Sequence, residues 1–428
     1  MKLSLHYGQG RVELIIPQAN LAGFIQPRHQ ATPSDGRQLL LQAIEPCRRQ
    51  LASRTQGRCV GILLPDGTRD LPHQEILPLL LEPLGRARKL LFFICTGTHP
   101  GNTPANQEIL RTIAACSMNL PARWEVIVHD CQDASFQSAG LTKRGTDVLY
   151  NSRLDEAEII LCLSDIKHHY FAGYSNPIKN IVPGLCSFSV AEQNHRWTLD
   201  ARSRAGFHPW HPCAGRQENP LACDMLEAAE RIVRDRPFWA LAVISSRKVI
   251  QWADLGLAQQ VCARAFQRAD EWNVHTVEQT HYMVVSPGGL PNDVDLYIAQ
   301  RALELTHSAA ADGGHILFLA ACPDGIGSPQ TRDQFERPLT EPLESILNRR
   351  PSEYRLFSHK PYRLAMLIRR LSRLWMHTEI DSATVRAIHM EPCTDPQQVI
   401  DDWLVQEPTA QILAVDGANK LLLECRTI

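Results

Sequence analysis

The chain has 428 residues, 44% hydrophobic and 21% charged, with a formal net charge of −2. That length exceeds what one hydrophobic core supports and predicts two domains, while near-neutral charge argues against a nucleic-acid or membrane-surface partner, which would favour a basic patch. No run approaches a membrane span, Met1-Lys2 leads into a strand-like segment rather than the apolar stretch of a signal peptide, and thirteen scattered cysteines without a C-x-x-C pair read as reduced thiols of a cytoplasmic protein.

Residues 2–16 alternate around Gly8 and Gly10 and predict an opening hairpin. Helical spacing over 45–52 precedes an apolar run at 60–64, a buried strand ending in Pro65-Asp66-Gly67-Thr68-Arg69. Alone, that tail reads as an Asx-capped turn with a surface ion pair. A helix through 74–84 leads to a strand at 89–95 and the loop Thr96-Gly97-Thr98-His99. A lone histidine after a strand is more often structural than catalytic. A helix around 106–115, a strand at 124–129 and a polar segment at 141–146 follow; Lys143 and Arg144 read as a solvated loop.

The run 159–163 is strand-like and feeds directly into residues 164–195, which hold His168, His169, Lys179 and His195 among the turn residues Gly173, Pro177, Pro183 and Gly184. Loops at the carboxyl ends of strands are where α/β proteins place functional groups. Adjacent imidazoles on an extended strand face opposite ways, so His168 is left as a supporting or surface residue. Residues 196–220 lack periodicity; His208, His211 and Cys213 fit no closed zinc site, and the segment reads as a lid or connecting loop. A helix at 225–233, a hairpin of 238–245 with 248–252, and an amphipathic helix at 257–272 complete a first domain of residues 1–275.

A second domain, 276–428, opens with a strand at 282–285 and the loop Ser286-Pro287-Gly288-Gly289. That loop is either a tight turn or a set of backbone amides turned toward an anion. A helix containing Asp295 to Arg301, a strand at 315–321, helices at 334–348 and 362–375 and a strand at 411–415 follow. The last run, 421–425, finishes the sheet or returns to the first domain.

His169-Tyr170-Phe171-Ala172-Gly173-Tyr174-Ser175, Lys179 ten residues after His169, Ile181-Val182-Pro183-Gly184 and Asn194-His195 together resemble the lactate racemase family. The blocks Asp66-x-Thr68-Arg69, Thr96-Gly97-Thr98-His99 and Leu141 to Thr146 recur in the family's order. The resemblance implies an α/β fold of two α/β domains with the active site in the cleft between them. It also implies a nickel-pincer nucleotide (pyridinium-3,5-bisthiocarboxylic acid mononucleotide) tethered through Lys179, with His195 as the protein ligand to nickel. Ser175, Gly288 and Gly289 would line that cofactor, and enzymes that build it would be needed for loading. His99 and His169 would be the acid–base pair, Asp66 would orient a base, and Arg69 would grip a substrate carboxylate. Tyr297, Ile298 and Arg301 would meet the substrate, a small 2-hydroxy acid.

Such an acid has a weakly acidic α-hydrogen, so hydride removal with a base on the hydroxyl is the easier route to inversion. Two orientations of substrate need two bases, and imidazole titrates near working pH. The chain departs from the family in reading Ser175-Asn176-Pro177-Ile178-Lys179 in place of Ser-Gly-Gly-Arg-Lys, and in having Ile298 and Arg301 for a glutamine and a lysine. Two other readings stay open: a metal-dependent hydrolase using His168, His169 and His195, and a catalytically inactive relative that binds cofactor or ligand.

Overall fold

The computed structural model describes residues 1–28, 36–69 and 71–426. The chain divides into two α/β units, one of residues 29–270 and one of residues 1–28 with 271–428.

The 29–270 unit is built on a six-stranded sheet, in the order Val249–Leu257, Phe238–Ser246, Ile159–Asp165, Cys59–Pro65, Lys89–Cys95, Arg123–Val128. All neighbours are parallel except the first pair, the hairpin expected over 238–252. Cys59–Pro65 and Ile159–Asp165 are buried at every position. Strands covered on both faces read as unbroken apolar runs, which is why both stood out in the sequence. Helices Gly36–Thr55, His73–Leu81 and Pro104–Ser117 pack Leu40, Ile76 and Ile109 against Ile62, Phe92 and Leu161. The chain builds outward from Cys59–Pro65 in one direction and then from Ile159–Asp165 in the other. The carboxyl ends of those two strands therefore form a topological switch point, where such sheets bind ligands.

The polar segment 141–146 is the turn of a hairpin, Phe136–Leu141 with Asp147–Asn151. The hydroxyls of Thr142 and Thr146 both donate to the buried carboxylate of Asp224, at 2.6 and 2.7 Å. The loop is thus fastened, not merely solvated.

The second unit carries an all-parallel sheet, Glu391–Pro392, Arg373–His377, Ala310–Leu319, Thr280–Ser286, Ile412–Asp416, Leu21–Ile25. The assignment of residues 1–275 to one domain is corrected here. The opening hairpin buries Leu3, Leu5, Leu14 and Ile16 against Val284, Leu317, Ile412 and Trp403, and Leu21–Ile25 forms the edge of this sheet. The last strand, Leu422–Cys425, pairs with Val274–Val277 inside the same unit and returns nowhere else. The helix expected over 334–348 is broken into Arg332–Glu336, Arg337–Leu339 and Leu343–Leu347. Pro338 and Pro342 lack the N–H that would continue it. The helix expected over 362–375 is His359–Arg370, followed by the strand Arg373–His377, in which buried Leu374 and Met376 alternate with more exposed neighbours. No described helix is long and apolar enough to cross a membrane, and all thirteen cysteines are free thiols.

Candidate active site

Three adjacent strands of the 29–270 unit deliver the chemistry. After Cys59–Pro65 the chain turns through Asp66, 3% exposed, and Arg69, whose N–H donates to the Asp66 carbonyl at 3.2 Å. After Lys89–Cys95 comes His99, and its Nδ1 lies 2.7 Å from Asp66 Oδ2. An ionised carboxylate only accepts, so Nδ1 carries a proton and donates to it. Burial pushes the Asp66 carboxyl up, but the His99 hydrogen bond, the His99 and Arg69 charges and the Thr68 hydroxyl outweigh it and hold the group below the usual carboxylate range. His99 is an exposed imidazole anchored at one end by a buried carboxylate. Its loop is pinned in turn: Gly97 N–H donates to the Gly184 carbonyl at 3.1 Å.

After Ile159–Asp165 the chain forms a small hairpin, Lys167–His169 with Gly173–Ser175, and then the helix Pro177–Ile181. Asn176 caps that helix by accepting from Ile178 N–H at 2.8 Å, and Pro177 takes its first position. Asn-Pro is a helix-start signal, so the departure at 176–178 supplies a preorganised presentation of Lys179 where the family has glycines. Gly184 closes the following turn, where a Cβ would fall 2.2 Å from the Asn180 carbonyl oxygen. Burial, and secondarily the Arg69 charge, lowers the Lys179 amine to about 7. Burial, and then the Lys179 charge, lowers the His195 imidazole to about 3. At neutral pH His195 is an uncharged imidazole, and a far larger share of the Lys179 amine is free than in an ordinary lysine.

Phe171 ties these groups together. Its ring is edge-on to His169 at 4.4 Å and to His195 at 5.2 Å, and Lys179 Nζ lies 5.5 Å from its centroid. Ser175 Oγ is buried without a hydrogen-bond partner. His168 faces away from His169, with Nε2 2.8 Å from Asp270. His208 and His211, which read as part of a lid or loop, are both buried, and the Lys179 charge helps lower His208 to about 3, after burial and His211. Among the described residues no group of three or more His, Cys, Asp or Glu is arranged to hold a metal ion. His168, His169 and His195 are therefore not the three-ligand set a hydrolase would need.

The remaining expected residues lie in the second unit, on the helix Leu296–Thr306 capped by Asp295. Tyr297 packs against Phe335 and Phe357, Ile298 is 41% exposed, and burial, with a smaller contribution from the Arg301 charge, lowers the Lys360 amine to about 7. Lys360 Nζ donates to the Tyr297 carbonyl and sits 3.5 Å from the centre of its ring. No spacing in the sequence links residue 360 to 297. Gly288 and Gly289 lie in the loop between the strand Thr280–Ser286 and this helix. A Cβ on Gly289 would lie 2.8 Å from the Gly8 oxygen and one on Gly288 3.0 Å from Gly417, while Gly288 N–H already donates to Ser286 Oγ. The pair is a tight turn packed on backbone, and the helix beyond it is capped by a carboxylate that would repel an anion.

The fold and this cluster define a class: a two-unit α/β protein with a carboxylate-held imidazole, a guanidinium and a desolvated lysine at a sheet switch point. Residues 7–206 match the family model described as lactate racemase N-terminal domain. The chain is 24% identical over 335 residues to the lactate racemase of Thermoanaerobacterium thermosaccharolyticum, covering 76% of this chain and 75% of the relative. It is 24% identical over 274 residues to that of Lactiplantibacillus plantarum, covering 63% and 61%. In fold it is similar to the lactate racemase apoprotein from T. thermosaccharolyticum (TM-score 0.83, 21% identity, 99% of this chain and 100% of the other). A Thermotoga maritima protein is more distantly similar (TM-score 0.65, 14% identity, 93% and 100%). Over residues 7–206 the chain is thus similar to the lactate racemase N-terminal domain, and over most of its length to two lactate racemases.

The buried neutral imidazoles have a consequence for stability. Burial is the main cause that lowers His195 and His208 to about 3 and His73 and His307 to about 4. Unfolded, each takes up a proton near pH 6.5, so below that pH the unfolded state binds more protons and stability falls with pH. Each such histidine costs about 1.4 kcal/mol per pH unit in this window. Denaturant unfolding of the apoprotein should show a steep loss between roughly pH 6.5 and 5, before most carboxylates titrate. A flat profile there would contradict the burial of these rings.

Proposed function

We propose that the chain is an isomerase, a racemase or epimerase that inverts C2 of a 2-hydroxy acid with a nickel-pincer nucleotide carried on Lys179. The observation that carries this reading is the convergence of Asp66-held His99, Arg69, His169, Lys179 and His195 around one switch point. The residues fit the cofactor. An uncharged amine is what an amide-type tether requires, and a neutral imidazole offers a lone pair that suits nickel. Ser175 Oγ is a buried polar atom in want of a partner. Held by Lys179 and His195, the cofactor would supply reversible hydride-acceptor chemistry toward C2.

The chain's own groups do the rest. Arg69 holds the substrate carboxylate, since a planar guanidinium matches two oxygens. His99 takes the hydroxyl proton at Nε2, with Asp66 fixing its tautomer and steadying the imidazolium. His169 performs the same service for the opposite hand. Enzymes that build the cofactor are the partners needed for loading, and the free thiols support a reducing, cytoplasmic setting.

Ile298 removes a polar contact that the family's glutamine would provide, so the substrate is a 2-hydroxy acid with a larger or more apolar tail than lactate. The test is racemisation of a panel of enantiopure 2-hydroxy acids by cofactor-loaded protein, followed by chiral chromatography. Ile298→Gln should move kcat/KM back toward lactate by about tenfold or more, because a lost polar partner discriminates more strongly than a methylene. No racemisation of any member would contradict the function; lactate as best substrate, unaffected by the substitution, would contradict the specificity.

A further inference from the structure

The hairpin that bears His169 and Ser175 has only three residues in each strand, Lys167–His169 and Gly173–Ser175. A hairpin that short does not hold itself. Its register places His168 opposite Tyr174, with His169 opposite Gly173. Both members of the His168–Tyr174 pair bond one carboxylate oxygen: Asp270 Oδ1 lies 2.8 Å from His168 Nε2 and 2.6 Å from Tyr174 OH. The other oxygen, Oδ2, lies 3.1 Å from His211 Nε2 and 3.7 Å from an Arg216 nitrogen. The clamp is shielded, with the His168 and His211 side chains 1% and 5% exposed. Asp270 stands on the helix Ala258–Asn273 one turn after Phe266, so the two share a face. Phe266 stacks on the Tyr174 ring at 4.1 Å and 14°.

We propose that Asp270 is a positioning residue for His169, a reading that rests on the function proposed above. Strand side chains alternate, so a slip of one residue would carry His169 to the wrong face and His168 into its place. One carboxylate bonded to both halves of a cross-strand pair forbids that slip, and its bond to His211 fastens the following segment to the same point. The segment 196–220 thus contributes a brace.

The test compares Asp270→Asn with wild type, as apoprotein by hydrogen exchange and as loaded protein by kinetics. Asparagine keeps the volume but cannot accept from His168, Tyr174 and His211 together. Exchange across 167–175 should quicken by about tenfold or more while Cys59–Pro65 and Ile159–Asp165 are unchanged. In loaded protein kcat should fall by about 10–100-fold with KM and the Lys179 adduct retained, the loss typical of outer hydrogen-bond partners. Tyr174→Phe keeps the stack, removes the bond to Asp270 together with a longer contact to the Gly206 carbonyl at 3.3 Å, and should give the same pattern at smaller size should Asp270→Asn not fold. Unchanged exchange at 167–175, or acceleration spread through the whole unit, would overturn the proposal. Wild type that racemises nothing would sink the function instead, with the exchange result still deciding the clamp.

Discussion

His99→Ala and His169→Ala should each lower racemisation by about 10²–10⁴-fold from either enantiomer, the range usual for general acid–base groups. On the proposed function, each hand of substrate loses its hydroxyl proton to one imidazole and regains it from the other. Removing either base blocks both directions, because every turnover passes through both faces. The two sites are built differently. His99 is exposed and oriented by a buried carboxylate at 2.7 Å, whereas His169 is packed edge-on against Phe171 and stacked on Tyr170. Asp66→Asn should therefore imitate much of the His99 loss by unsettling its tautomer. The measurement is kcat from each enantiomer, alongside nickel content and the Lys179 adduct. Normal racemisation by either histidine variant with nickel intact would make that histidine structural.

Lys179→Ala should abolish both the covalent adduct and activity. An ammonium is no nucleophile, and burial lowers this amine to about 7. A lysine at its ordinary value carries about a thousandfold less free amine at neutral pH. Loading should accordingly rise with pH through about 7 and then level off, rather than climb toward the range of exposed lysines. His195→Ala should keep the adduct but lose nickel, because tether and ligand are separate roles. A variant with alanine at 179 that retains activity would contradict the tether outright.

Much of this was legible in the sequence, for physical reasons. The strands Cys59–Pro65, Lys89–Cys95 and Ile159–Asp165 are central and parallel, so their apolar runs and the turn residues after them mark both the sheet and the site. The family blocks sit on those turns. What stayed hidden depends on tertiary contact. Leu21–Ile25 is an edge strand that pairs with residues almost four hundred positions later, and no local pattern announces it. Arg373–His377 mixes arginine, tryptophan and histidine into a five-residue alternation too short to separate from the preceding helix. Asp270 and Lys360 reach their partners across the fold, so their spacing to His168 or Tyr297 carries no signal. Phe171 lay within a recognised block, yet its role as the ring between His169, Lys179 and His195 emerges only from geometry.

The claim that Lys179 carries the cofactor is tested most directly by intact mass and nickel content of protein co-expressed with the cofactor-building enzymes. The expected result is a covalent mass addition that maps to Lys179, disappears in Lys179→Ala, and brings nickel in proportion to the adduct. Fully active protein with an unmodified Lys179 would contradict it.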